Sequence, residues 1–182
     1  MQEPRPFLIG GLWQRGEAVI PVHNPFTGRL LAEVSSASSA DADAAVQSTV
    51  DAAAAMGALP SHARYYALQK IAGGLYDRRE EFARLMTAES GKPITDAKRE
   101  VSRAVQTFTI AAEEAKRIPG EVIPLDWTPG TDSHLGILRR VPIGTVLGIT
   151  PFNFPLNLVA HKVAPALAAG NSILIKIGRA HV

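Results

Sequence analysis

The stretch from Gly144 to Lys176 constrains the fold most. Its apolar run Thr145 to Ile149 reads as a buried strand that stops at Thr150-Pro151, where proline removes a backbone donor. Leu156 to Ala169 reads as a helix and Ser172 to Lys176 as a second strand. Strand, helix and strand in that order form a βαβ unit, so the two strands are parallel. The loop Phe152-Asn153-Phe154-Pro155 lies beyond the carboxyl end of the first strand, where open α/β sheets place ligands. Two parallel strands make a poor sheet alone. The expected class is therefore α/β, with this unit the beginning of a larger domain.

The preceding residues are helical and, before that, β-rich. Short strands flank Gly10-Gly11, and Ala18 to Val22 and Leu30 to Val34 flank the turn Asn24-Pro-Phe-Thr-Gly28. Ser38 or Ser39 caps a first helix that runs to about Met56, with Gly57 as its stop. A second helix starts at Pro60-Ser61, with Ala63, Leu68, Ile71 and Leu75 as core positions. Asp77-Arg-Arg-Glu80 has the form of a capping box for a third, which carries Phe82, Leu85 and Met86 and ends at Gly91 before Pro93. The fourth runs from Ile94 to about Arg117. Its apolar residues Ile94, Ala97, Val101, Ala104, Phe108, Ala111 and Ala115 recur at steps of three and four. His134 to Val141 alternates as a strand should. Pro165 lies inside the last helix and should kink it.

At 182 residues the chain is long enough for one domain with a core. A net charge of +2 gives no reason to expect nucleic acid or an anionic membrane as partner. No run of membrane-spanning length or signal segment is evident, so a cytoplasmic protein is expected. There is no cysteine, which excludes a disulfide scaffold, thiolate metal sites and any mechanism in which this chain supplies a thiol nucleophile. The five histidines have no carboxylates at ligand spacing, and no metal is expected.

Asn153 has two readings. Its carboxamide can cap the turn before the helix, the commoner use and the one spacing alone favours. It can also donate to a developing oxyanion, with Pro151 and Pro155 stiffening the loop around it. No Gly-x-Gly-x-x-Gly follows the first strand, so a bound dinucleotide would not be held by that device. Lys176 closes the second strand, where it is either a solvated lysine or a donor to a ribose or phosphate. Asn157 and His161 are one turn apart on a face that begins beside Asn153. Arg99 and Arg103 share another helix side, where a solvated or paired arginine is the ordinary state.

Four segments together resemble the aldehyde dehydrogenase superfamily. They are Glu89-Ser-Gly-Lys-Pro93, Ala112 to Glu121, Thr150-Pro-Phe-Asn-Phe-Pro155 and Lys162 to Asn171. The resemblance covers residues 7 to 176. It implies an incomplete Rossmann-like cofactor-binding domain: residues 1–133 and 144–176 within it and 134–143 as the first strand of an oligomerisation hairpin; 177–182 do not continue the pattern as a turn and helix should and read as a non-native tail. It implies NAD- or NADP-dependent oxidation of an aldehyde to a carboxylic acid through a thiohemiacetal on a cysteine absent from this chain, and a homodimer or homotetramer as the full-length assembly. Asn153 matches the family's oxyanion donor. Ile149, Thr150, Pro151, Phe152 and Lys176 match its cofactor contacts. Phe152, where many members have tryptophan, and Asn157 to His161 resemble members acting on lactaldehyde, phosphonoacetaldehyde or glyceraldehyde 3-phosphate, with Arg103, Asn157 and His161 as substrate contacts. The nucleophile and the base lie downstream of Lys176 in the family, so this chain alone is expected to be inactive. Alternatives are a non-catalytic nucleotide-binding or oligomerisation remnant, and a same-fold reductase of acyl phosphates or thioesters.

Overall fold

The computed structural model describes residues 3–178. Two hairpins come first. Strands β1 (Phe7–Ile9) and β2 (Leu12–Gln14) turn through Gly10-Gly11, and β3 (Ala18–His23) pairs with β4 (Leu30–Ser36). Four helices follow: α1 (Ser39–Ala58), α2 (Ser61–Asp77), α3 (Arg79–Ser90) and α4 (Ile94–Ala115). A third hairpin, β5 (Glu121–Pro124) with β6 (Leu135–Leu138), precedes β7 (Thr145–Thr150), α5 (Asn157–Ala168) and β8 (Ser172–Ile177). β7 and β8 are parallel, as the βαβ reading requires. Each sheet among the described residues has two strands.

Local chemistry explains most of the helix ends. The Ser38 hydroxyl accepts from the Asp41 amide at 3.2 Å, and the Asp41 carboxylate accepts from the Ser38 amide at 2.8 Å. The Ser38 amide and, at 2.8 Å, the Ser38 hydroxyl both donate to the Asp41 carboxylate and hold it below the usual carboxylate range. Gly57 does not stop α1, which continues to Ala58. The stop is Pro60, which forces the preceding Leu59 out of the helical region, to φ −62° and ψ 126°. The capping box expected at Asp77 does not form. Asp77 is still the last residue of α2, so its side chain does not reach forward, and the Arg78 guanidinium pairs with Glu81 instead. Gly91 ends α3 in the left-handed conformation, as expected. Leu85 is exposed, and Ala83 takes the core place on α3.

α4 is the central helix and packs against α2, α3 and α5. Six of the seven residues of its apolar stripe are buried, and only Ile94 is not. Where α4 meets α5 the core is largely alanine, from Ala104, Ala111, Ala112 and Ala115 on one helix to Ala160, Ala164 and Ala168 on the other, around Phe108 and Leu68. Small residues let two helix axes come close, so α5 sits tight over α4. α1 also rests on the β7–β8 ribbon.

The ribbon is tied at its N-terminal end. Buried Asn171 accepts from the Gly144 amide at 3.0 Å, and the Thr145 and Ser172 hydroxyls lie 3.2 Å apart. α5 ends in a Schellman motif, with the Asn171 amide on the Ala166 carbonyl and the Gly170 amide on Leu167; Gly170 has φ +81°. Side chains of β7 alternate. Gly148 is covered by α5, while Leu147 and Ile149 are 59% and 60% exposed on the other face.

Three features differ from the sequence reading. β5 is an unanticipated strand, so the His134 segment is the second strand of its hairpin rather than the first. Its four residues, ending in proline, are too few to show a period. β8 extends through Ile177, and the Gly178 amide donates to the Thr150 carbonyl at 2.8 Å, so the pattern continues past Lys176. Residues 179–182, the rest of the expected tail, lie outside the described residues.

Gly148 lies under Lys162 of α5 and beside Ile175 of β8. A Cβ there would stand 2.6 Å from Ile175 Cδ1 and 3.2 Å from Lys162 Cδ. Gly148→Val is expected to cost about 2 kcal/mol of stability, read as a lower urea midpoint with an unchanged m-value. The exposed apolar residues of β7 predict that the 182-residue chain, expressed alone, associates in solution. Size-exclusion chromatography checks this, and a monomer across the micromolar range would contradict it.

Candidate active site

The site lies at the carboxyl edge of the β7–β8 ribbon. Parallel register sets Ile149 beside Lys176 on the face away from α5, both exposed. Thr150 is buried, and among the described residues its hydroxyl has no partner. The chain then leaves β7 through Pro151 and Phe152, both exposed, and reaches Asn153 at the loop tip, also exposed. Five of the expected residues therefore line one edge around Asn153.

Asn153 does not cap α5. The cap comes from another helix. The Glu100 carboxylate on α4 accepts from the backbone amides of Leu156 and Asn157, at 3.0 and 3.1 Å, through Oε1. Leu156 at the N-cap has no oxygen of its own to offer. The negative charge also faces the positive end of the α5 dipole. The other oxygen of Glu100 pairs with Lys92. Lys92 Nζ in turn donates to the Asn153 carbonyl at 3.0 Å and lies 4.1 Å from the centre of the Phe154 ring.

The pair is withdrawn from solvent, with side-chain exposures of 1% for Glu100 and 14% for Lys92. Removing one member of a buried pair leaves an uncompensated charge and typically costs about 3–5 kcal/mol. Neither residue was among the sequence candidates. Glu100 had a readable signal, because it falls three residues after Ala97 and four before Ala104, inside the buried stripe of α4. A carboxylate there needs partners. Lys92 had no such mark, since its partners are distant in sequence.

The substrate candidates are divided. Asn157 is buried at the α4–α5 contact, and its Oδ1 has no partner among the described residues. His161, one turn later, is exposed and lines a shallow groove with Thr107, Ile110, Glu114 and Pro165. Arg103 is exposed one turn before Thr107, whose hydroxyl donates to the Arg103 carbonyl at 2.9 Å. Arg103 and His161 thus lie on the exposed sides of α4 and α5, while Asn157 is buried between the two helices. No group of three or more metal-ligating side chains occurs among the described residues, nor does any helix there have the length and apolarity to cross a membrane.

Known proteins share this arrangement of elements. Residues 13–180 match the aldehyde dehydrogenase family. A 3-sulfolactaldehyde dehydrogenase of Priestia aryabhattai is 43% identical over 168 residues, which are 92% of this chain and 35% of that protein. The crystal structure of aldehyde dehydrogenase 21 from Physcomitrella patens, in complex with the reaction product succinate, superposes with a TM-score of 0.91 at 41% identity, over 96% of this chain and 37% of that one. An NADP-dependent glyceraldehyde-3-phosphate dehydrogenase from Bacillus halodurans, complexed with NADP, gives 0.90 at 33% identity, again over 96% and 37%. The chain thus spans little more than a third of the length of these relatives, and with its α/β fold and its Thr150-to-Pro155 loop it belongs to the aldehyde dehydrogenase family.

Proposed function

We propose that this chain is the N-terminal part of an NAD- or NADP-dependent aldehyde dehydrogenase that oxidises a small aldehyde to a carboxylic acid. The observation that carries the reading is the state of Asn153. Glu100 caps α5 in its place, so the Asn153 carboxamide is not used to hold the turn and stands exposed beyond the end of β7. A carboxamide N–H fixed there can donate to the oxyanion that forms when a thiolate adds to an aldehyde carbon. The thiolate must come from outside these residues, since the chain has no cysteine.

The residues at the edge fit a nicotinamide dinucleotide. Ile149 and Phe152 offer an exposed apolar shelf, and the Lys176 ammonium beside Ile149 is a donor for ribose hydroxyls. The backbone from Ile149 to Phe152 would run along the cofactor, and Lys176 would hold a ribose. When bound, the cofactor supplies the hydride acceptor. Asn153 orients and stabilises the oxygen of the substrate carbon, and the prolines on either side of the loop limit its movement.

The substrate class inferred is a small aldehyde with an anionic tail. The three relatives above carry names with a sulfonate, a carboxylate product and a phosphate. Arg103, exposed beside the groove that His161 lines, is the cation placed to meet such a tail. Asn157, buried, has an unpartnered acceptor in its Oδ1 and would take a hydroxyl of the substrate rather than its anionic tail. The β5–β6 hairpin, with Val122 and Ile137 exposed, supports an oligomerisation role in a homodimer or homotetramer.

In the enzyme that carries this segment, Asn153→Ala is expected to lower kcat by about 100- to 1,000-fold with cofactor affinity unchanged. Steady-state kinetics with cofactor titration checks this, and wild-type turnover would refute the oxyanion role. Arg103→Met should raise KM by about 10-fold or more for an aldehyde with a carboxylate or phosphate tail. It should leave KM unchanged for a neutral aldehyde of equal size; equal losses for both would remove Arg103 from the tail site.

A further inference from the structure

We infer that Lys92 and Glu100 act as the positioning pair for the Asn153 loop, setting where the carboxamide points. The inference rests on the reading of Asn153 given above. Five contacts of the two side chains carry it. Glu100 Oε1 fixes the chain after the loop, through the Leu156 and Asn157 amides at 3.0 and 3.1 Å. Lys92 Nζ fixes the loop tip, through the Asn153 carbonyl at 3.0 Å. The ion pair between them makes the two anchors one object. The Lys92 ammonium over the Phe154 ring holds the residue in between. Every residue from Asn153 to Asn157 except Pro155 is therefore touched by one member of the pair.

The pair also has a rigid base. Glu100 projects from the N-terminal third of α4, flanked by the buried residues Ala97, Val101 and Ala104. Lys92 precedes Pro93, which confines the Lys92 backbone to the extended region. The prolines on either side stiffen the loop, but Phe152, Asn153 and Phe154 are exposed and do not pack into the core. A displacement of about 1 Å at a reacting group can lower a rate by about 100-fold, so anchors of this kind act on turnover more than on binding. Both residues touch the loop backbone or a neighbouring ring and neither reaches the proposed oxyanion position, which makes them positioning residues.

The test compares Lys92→Met, Lys92→Arg, Asn153→Ala and the double variant Lys92→Met/Asn153→Ala in the complete enzyme, with kcat, the KM of the aldehyde and the cofactor Kd measured for each. Lys92→Met is expected to lower kcat by about 10- to 100-fold with KM and Kd near wild type, and Lys92→Arg, which keeps charge and donor, to recover most of it. The double variant should be no slower than Asn153→Ala alone. Losses that multiply would overturn the inference, because Lys92 would then act independently of Asn153. Amide hydrogen exchange over residues 153–157 gives an answer that does not depend on catalysis. Exchange of the Leu156 and Asn157 amides, which Glu100 holds, should be at least about 10-fold faster in Lys92→Met, with α4 and β7 protected as in the wild type. Unchanged exchange overturns the pair's role whatever the kinetics. Faster exchange combined with wild-type turnover in Asn153→Ala would leave the pair as the loop's anchor and remove only the oxyanion reading. If Lys92→Met does not fold, Glu100→Gln replaces it, since it keeps an acceptor for α5 and removes the charge that holds Lys92.

Discussion

The Glu100 carboxylate is the contact on which the site depends. It is a charge buried between two helices, and burial of a charge is tolerated only when its lone pairs are filled. Here they are filled from two directions, by two amides at the start of α5 and by the Lys92 ammonium. The amides at a helix start lack partners within the helix and carry the positive end of its dipole, so each group removes the other's desolvation problem. α4, α5 and the end of α3 are locked in register at one point, next to the proposed reacting group.

Packing makes that point reachable. The alanines facing each other across α4 and α5 bring the helices close enough for a glutamate side chain on one to touch backbone on the other. Gly148 does the same between α5 and β7. Bulkier residues at these places would lift α5 away from both, and the loop that joins β7 to α5 would move with it. The asparagine ties at the opposite end of the ribbon hold strand register, which sets Ile149 beside Lys176. Each device is modest alone, and together they fix an exposed edge with little structure of its own.

Much of this was readable in advance for a physical reason. The βαβ unit, the stripe of α4 and the Gly91 stop arise from periodicity and backbone preference, which act within a few residues. Local sequence signals misplace an element where two of them compete. Gly57 and Pro60 both mark a helix end, and proline prevailed because it restricts the residue before it, whereas glycine is only permissive. Asp77-Arg-Arg-Glu80 had the form of a capping box, but α2 had not yet ended at Asp77. β5 was too short to show a period.

The site divides along the same line. The residue types and order of four segments, Thr150 to Pro155 among them, pointed to the family, and that segment determined the place of Asn153 at the end of a strand and the residues along that edge. Which group caps α5 was not legible, because Glu100 lies 56 residues before the amide of Leu156 that it accepts from, and Lys92 lies 61 before Asn153. Spacing alone favoured Asn153 as the cap. Only the packing of α4 against α5 transferred that task to Glu100, because hydrogen-bond partners are chosen by proximity in space, and in a helical core proximity is decided by how closely small side chains let the helices approach.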